Sequence, residues 1–326
     1  MKENLFCRLT FILLLFIAAA FISCASRSDT IQAEEYYTIG MAFFELGRFS
    51  DAEFWLNRAR AADKTMIASE YNLGRIAFET GRYEDAALYF ERVLSQDPDN
   101  AMVLRAAAYA RIKNGDLEIA EALYNKVLEL IPENADEGFN YALVLYGLEK
   151  YEECEDVLNK YSYTFDENQS LILLFARAQK AQSKLEAVDS YAKWMIVNTG
   201  AANPQGIFEY GQALEDAGHF GRAIEHYKLA IEAISWNDTT GIKSKVLFAK
   251  ASLLLVEDPE NAEGLFEFTQ SINEGFSDTE AIATLLEDER IIKNNRTEIQ
   301  KILTDMLIEE HERLEAEGSK AADGQS

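Results

Sequence analysis

The sequence predicts an all-α protein, built as a solenoid of stacked antiparallel helix pairs. The main observation is an internal repeat: the 24 residues that begin at Tyr36 align without a gap on stretches that begin 34, 68 and 102 residues later. Because a single pair of short helices cannot bury its apolar face, this period indicates one two-helix unit that is stacked several times. Composition agrees, since only four prolines and 17 glycines occur in 326 residues, and 48% of the residues are hydrophobic.

Small side chains mark two positions of the repeat. When the copies are counted from Ala33, Ile67, Ala101 and Ala135, the residues at position 8 are Gly40, Gly74, Ala108 and Ala142, and those at position 20 are Ala52, Ala86, Ala120 and Cys154. This pattern resembles the tetratricopeptide repeat family, in which the paired helices approach most closely at these two positions. The resemblance implies a right-handed solenoid of such repeats.

The turn between the two helices is expected at position 15. Glycine occupies it in the first three copies as Gly47, Gly81 and Gly115, and glutamate replaces it in the fourth as Glu149. Because a left-handed helix C-cap favours glycine, the fourth turn is predicted to be less well formed. Proline at position 32, Pro98 and Pro132, is predicted to start the next helix or to close the last one.

Four regular repeats are predicted over residues 33–168 and three further repeat-like units over 169–277. Two of the three are degenerate, because one is a residue short between its small positions and another is interrupted by EDPEN. The clear one carries Gly211 and Ala223 at positions 8 and 20, so the resemblance makes Gly40, Gly74, Ala86, Gly211 and Ala223 structural residues. Residues 278–317 are predicted to form capping helices, and 318–326, which lack an apolar period, a disordered tail.

The N-terminus is predicted to be a lipoprotein signal peptide over residues 1–23. Lys2 and Arg8 precede a short apolar run that ends at Cys24, and FISC resembles the bacterial lipoprotein processing box. Phe21 stands where that box more commonly has leucine, and an uncleaved signal anchor is the alternative. Lipidation of Cys24 would hold the domain on a bilayer, since each buried methylene contributes about 0.8 kcal/mol.

Residues 24–32 would then be the lipidated cysteine and a polar leash. In either case the repeats are expected outside the cytoplasm, anchored in the cell envelope and most simply facing the periplasm. Cys154 would be the one cysteine of the mature domain, and its small position predicts a buried structural thiol. One cysteine cannot form an internal disulfide.

Charge and motifs limit the classes of function. The chain has 56 acidic and 31 basic residues, a net charge of −25, which argues against nucleic acid as a partner. The acidic residues are interpreted as a solvated outer surface, with an acidic patch for a basic partner as the alternative. No nucleotide-binding or nucleophile motif occurs, and the three scattered histidines have no metal-ligand spacing. The sequence therefore predicts no enzyme activity, no cofactor and no metal.

The resemblance assigns function to the concave face of the solenoid, which the first helix of each repeat lines. Seven of the 20 inward positions in the first four repeats are aromatic, against 11% of the chain. Aromatic residues, Met and Arg are enriched at interface cores. The predicted groove residues are Tyr37, Met41, Phe44, Tyr71, Arg75, Phe78, Arg105, Tyr109, Phe139 and Tyr146. Alternatively, some of these rings pack against the neighbouring repeat, or the chain's own terminus fills the groove.

A membrane-anchored scaffold that binds a peptide or helix of another envelope protein is the predicted function. The alternative is a periplasmic module that binds a small hydrophobic molecule for a transporter. Self-association is compatible with the sequence. A clamp for C-terminal carboxylates is not expected, because Asn72 matches its middle position while Tyr37 and Met102 replace the flanking residues.

Overall fold

The computed structural model describes residues 31–197, 203–235 and 238–323, and over 314–323 it describes the backbone alone. No strand occurs in these ranges, so the all-α fold class is confirmed. The helices are α1 (31–45), α2 (Phe49–Ala62), α3 (Ile67–Glu79), α4 (Tyr83–Leu94), α5 (Ala101–Asn114), α6 (Leu117–Leu130), α7 (Ala135–Gly147), α8 (Tyr151–Asn159), α9 (Gln169–Ala181), α10 (Ala187–Val197), α11 (Pro204–Asp216), α12 (Phe220–Ala233), α13 (Ile242–Glu257), α14 (Ala262–Asn273), α15 (Thr279–Glu287) and α16 (Lys293–Asp323).

The chain forms two compact units, 1–157 and 158–326, with the boundary inside α8. In unit 1 each helix from α2 to α6 packs against the next helix along the chain, and in unit 2 those from α9 to α13 do the same. Odd-numbered helices are the first members of the pairs, and even-numbered helices are the second members. Each unit is thus a stack of helix pairs, as the 34-residue period predicts.

Close approach of the paired helices explains the small residues of the repeat. A Cβ added at Gly40 would lie 2.9 Å from Leu56 Cγ, and one added at Gly74 would lie 2.7 Å from Phe90 Cε1. In unit 2, a Cβ at Gly211 would lie 2.6 Å from Tyr227 Cδ1. Position 20 is fully buried in each of these pairs, as Ala52, Ala86 and Ala223.

The turn of the fourth repeat corrects the sequence prediction. Gly47, Gly81 and Gly115 have φ of 68°, 76° and 92°, and Glu149 takes the same left-handed conformation with φ of 59°. Its turn is as complete as the others, since Lys150 N donates to Leu145 O at 2.9 Å, just as Arg82 N donates to Ala77 O at 2.8 Å. The packing of the helix pair therefore dictates the turn, and the missing glycine appears as backbone strain. Ser183 does the same in unit 2, with φ of 56°.

Substituting Glu149→Gly is expected to raise the free energy of unfolding by about 0.5–1 kcal/mol, because glycine adopts this φ without a steric penalty. Glu149→Ala is the control, since alanine removes the same side chain but keeps the Cβ and the strain. Urea unfolding monitored by circular dichroism measures both. An equal gain in the two variants would show that the glutamate side chain, and not φ, is the cost.

Asparagine, and not proline, starts the helices that follow Pro98 and Pro132. The side chain of Asn100 accepts from Val103 N at the start of α5, and Asn134 accepts from Asp136 N and Glu137 N at the start of α7. Each proline lies in the preceding turn, two residues before the N-cap. The prediction that proline opens a helix is therefore wrong, because the polar cap satisfies the free N–H groups. Pro132 does mark the end of α6, since it directly follows the C-cap Ile131.

The C-terminal end of unit 2 is more helical than predicted. α15 and α16 pack together, and a buried cluster that includes Ile282, Leu285, Ile291 and Ile299 joins them to α13 and α14. The described backbone of α16 continues to Asp323, so it is helical over residues 318–323, where the sequence predicts a disordered tail. Lysine and alanine in this stretch have high helix propensity, which extends a helix without an apolar period.

Several carboxylates of the acidic surface have structural partners. Arg111 is only 7% exposed, and its guanidinium lies 3.0, 2.5 and 2.9 Å from Glu84, Glu91 and Asp116. Arg82 and Lys150 likewise pair with the carboxylates of Glu53 and Glu121, each 29 residues earlier. The three carboxylates around Arg111 therefore do more than solvate the surface, because a buried guanidinium needs counter-charges.

The thiol of Cys154 is expected to be unreactive in the folded protein. It is fully buried, and burial raises its pKa to about 12. Alkylation requires the thiolate. Iodoacetamide at pH 8 should therefore leave the peptide that carries Cys154 unlabelled until denaturant is added, as measured by mass spectrometry. Rapid labelling under native conditions would show that α8 opens readily.

Candidate functional site

Side-chain contacts link the first helices of unit 1. Between α1 and α3, Asn72 Nδ2 donates to Tyr37 Oη at 3.1 Å, and the guanidinium of Arg75 lies 4.4 Å from the centroid of the Phe44 ring. Arg75 Nη1 also donates to Asn72 Oδ1 at 3.0 Å. A guanidinium over an aromatic ring is an attractive contact. Arg75 is therefore held in place against α1.

The same series of contacts continues from α3 to α5. The rings of Phe78 and Tyr109 are stacked, with centroids 5.2 Å apart and planes at 30°. Lys113 Nζ lies 5.5 Å from the centroid of the Tyr109 ring. Tyr109 remains 45% exposed, so much of the ring is open to solvent. We name Tyr37, Phe44, Arg75, Phe78 and Tyr109 the aromatic face.

The two predicted arginines differ in their partners. Arg105 Nη1 donates to Glu137 Oε1 at 2.6 Å, and Glu137 is 2% exposed. Arg105 is therefore already paired, because a buried glutamate needs this cation, although half of its side chain is exposed. Its contact with a ligand carboxylate stays a prediction. The site is also desolvated: burial, and then the Glu137 charge, raise the pKa of Tyr124 to about 12.

Arg75 keeps its charge available. Within the described ranges no carboxylate lies within 4.0 Å of its guanidinium, whose bonded partner is the neutral amide of Asn72. It is partly buried and lies among rings. A cation fixed in this way can bind an incoming carboxylate with little loss of side-chain entropy.

The remaining predicted residues contribute mainly to packing. Met41 lies against the buried cluster that contains Leu56 and Leu73. The Tyr71 ring lies 5.7 Å from that of Phe90, within its own helix pair, and Tyr146 similarly contacts Tyr151 with centroids 5.2 Å apart. Phe139 is partly buried. The alternative of internal packing thus holds for Met41, Tyr71 and Tyr146. It holds in part for the aromatic face as well, since Phe44 contacts Phe49 and Phe78 contacts Tyr83 within their own helix pairs.

Sequence reasoning missed Glu137 as the partner of Arg105, although a signal exists. The pair is separated by 32 residues, two fewer than the repeat length. Unit 2 repeats this spacing, where Arg177 Nε donates to Glu209 Oε2 at 2.6 Å and Lys180 Nζ donates to Gln212 Oε1 at 3.1 Å. Polar pairs at this spacing join successive first helices. A search of the sequence for polar residues 32 positions apart would therefore have found Glu137 as the partner of Arg105.

Cys24 and the predicted signal segment 1–23 lie outside the described residues, as does most of the leash; residues 31 and 32 of the leash are helical. Across the described ranges, no helix combines the length and hydropathy needed to cross a membrane. In the same ranges, no group of three or more His, Cys, Asp or Glu side chains is arranged to hold a metal ion.

Comparison with known proteins agrees with the helix pairs. The family model for the tetratricopeptide repeat matches residues 71–136, which cover most of α3 and all of α4 to α6. A search of curated protein sequences found no match.

Among solved structures, a tetratricopeptide repeat protein of Parabacteroides merdae is 17% identical, with a TM-score of 0.55 over 78% of this chain and 97% of that one. PilF of Pseudomonas aeruginosa is 20% identical, with a TM-score of 0.49 over 64% and 93% of the two chains. YrrB, described as having an unusual peptide-binding site, is 17% identical, with a TM-score of 0.49 over 60% and 96%. At such identities the first of these supports the fold alone. Residues 71–136 of this chain thus match the tetratricopeptide repeat, and the stacked helix pairs have the fold of a tetratricopeptide repeat protein.

Proposed function

We propose that the aromatic face binds an apolar segment of another protein, and that the chain is a non-enzymatic scaffold. The observation that carries this proposal is the exposed ring of Tyr109, which stacks on the partly buried Phe78 in the same face as the fixed guanidinium of Arg75. Aromatic rings with one side open to solvent are typical anchors at the centre of protein interfaces. Protein binding is also the general role of the family.

The chemistry of the face indicates the kind of segment. Tyr109 is exposed on α5, and so is Met102 on the same helix, at 50%. Leu143 on α7, the next first helix, is 44% exposed. Apolar side chains of a partner would cover these groups, and a carboxylate of the same segment would reach Arg75. The face therefore suits an amphipathic helix or strand with an acidic residue.

Crosslinking mass spectrometry on intact cells tests where the partner binds. Lys113 lies beside Tyr109, whereas Lys64 is exposed in the turn between α2 and α3. The number of crosslinks at each lysine is divided by the number of its singly reacted crosslinker adducts. This ratio, counted for crosslinks to other proteins, should be several times higher for Lys113 than for Lys64. Equal frequencies would contradict binding at the aromatic face.

We also propose that the scaffold is lipid-anchored at Cys24 and faces the periplasm as part of an envelope assembly. The sequence supports this through the apolar run and the FISC box that end at Cys24. Cys24→Ala should abolish incorporation of labelled palmitate and release the protein from the membrane fraction. Cys154→Ala is the matched control, because that thiol is buried and should take no lipid. Equal labelling of wild type and Cys24→Ala would exclude this anchor.

A further inference from the structure

Unit 2 contains a cavity that the proposed function does not use. Its volume is about 490 Å³, and the first helices α11, α13 and α15 line it together with the turn that precedes α15. Phe248 and Phe276 form one wall, where their rings stack with centroids 4.0 Å apart and planes at 11°. Phe208 lines the same cavity. A pocket with aromatic walls and a few polar groups is the usual form of a small-ligand site.

One carboxylate in this cavity, that of Glu215, forms no ion pair with any described residue. Tyr227 donates its hydroxyl to Glu215 Oε2, while Oε1 has no bonded partner among the described residues. Lys180 attracts the Glu215 charge from a distance, but its ammonium group donates to Gln212 and forms no ion pair with Glu215. Burial raises the pKa of Glu215, which shows that its charge is poorly solvated. A desolvated carboxylate gains more than an exposed one when a cation binds beside it.

The other charged groups of the lining lie at its rim. Asp278 caps α15 by accepting from Ala281 N, and Lys245 is exposed and has no ion pair in the described ranges. The lining therefore contains two carboxylates, those of Glu215 and Asp278, and one ammonium group, that of Lys245. Solvent screens Lys245, whereas Glu215 is partly buried.

We propose that this cavity binds an organic cation, an ammonium or guanidinium group on an apolar body, with the cation at Glu215 Oε1 and the body against Phe208, Phe248 and Phe276. The aromatic rings would bury the apolar body, and the carboxylate would pair with the charge. This inference goes beyond the proposed function, because all the lining residues belong to unit 2.

The test measures dissociation constants of full-length protein for three probes of similar shape. We expect 2-phenylethylammonium to bind about tenfold more tightly than 2-phenylethanol, and 3-phenylpropionate to bind most weakly. Glu215→Gln keeps an acceptor for Tyr227 and should abolish this preference for the cation. Glu225→Gln, the same substitution at an exposed position of α12 outside the lining, should preserve it.

A second variant and a second probe complete the design. Phe276→Leu should weaken binding of the cation and the alcohol alike and leave their ratio unchanged, which separates the ring from the charge. The dipeptide acetyl-Phe-Arg-amide distinguishes the source of the cation: tighter binding than the amine assigns the cavity to a basic side chain of a protein, and weaker binding assigns it to a free amine. The proposal is overturned if no cation binds more tightly than 2-phenylethanol, or if Glu215→Gln leaves the preference intact.

Discussion

Replacing Gly211 with alanine is expected to lower the free energy of unfolding by about 1–3 kcal/mol. The added Cβ would lie 2.6 Å from Tyr227 Cδ1, a distance that packed carbon atoms do not tolerate. The Tyr227 ring cannot move away, because it is fully buried and its hydroxyl is bonded to Glu215. The helix pair α11–α12 would therefore have to separate.

Gly221→Ala is the matched control in the same helix pair. A Cβ at Gly221 meets no atom within 4 Å, and its φ is not positive. Alanine has the higher helix propensity, so this variant should be as stable as wild type or slightly more stable. Urea unfolding followed by circular dichroism compares the two. Similar losses in both would mean that glycine is needed at position 8 for a reason other than close approach.

Changing Arg75 and Tyr109 together, to glutamine and alanine, is expected to reduce partner affinity about 30-fold. The double variant removes the exposed ring of the aromatic face and its free cation. Stability should change little, because Tyr109 is 45% exposed and no ion pair of Arg75 lies within the described ranges. The measurement is the amount of partner recovered after crosslinking in native membranes.

Leu88→Ala is the control for this variant. Leu88 is 39% exposed on α4, a second helix, so its loss should leave recovery unchanged. Tyr71 is unsuitable for such a test, because its ring packs against Phe90 and its removal would disturb the helix pair. Loss of far-ultraviolet circular dichroism in the Arg75 and Tyr109 variant would show that these residues support the fold, and full recovery of partner by a folded variant would place binding elsewhere.

The repeat pattern predicts those features of the fold that depend on the spacing of the helix backbones. Gly40, Gly74 and Gly211 were assigned from the 34-residue frame, and each lies against a large side chain of the second helix of its pair. Stacking of the units follows from the same frame, because every repeat presents the same apolar positions to its neighbours.

Contacts between charged side chains were less accessible to sequence analysis. Arg105 occupies an inward position like Arg75, yet Glu137 neutralises the one and no carboxylate reaches the other. The residue 32 positions after Arg105 is Glu137, whereas the residue 32 positions after Arg75 is Ala107. Glu149 shows the opposite limit, since tertiary packing imposes a left-handed turn on a residue that does not favour it.

Site-specific photo-crosslinking tests the central claim most directly. Benzoylphenylalanine would replace Tyr109 on the aromatic face in one variant and Leu88 on α4 in another, both in the full-length protein in intact cells. We predict that the Tyr109 probe forms a discrete crosslinked species, that Arg75→Gln weakens it, and that the Leu88 probe forms none. Crosslinks of equal yield from both positions, or a Tyr109 crosslink that does not respond to Arg75→Gln, would contradict a binding site at the aromatic face.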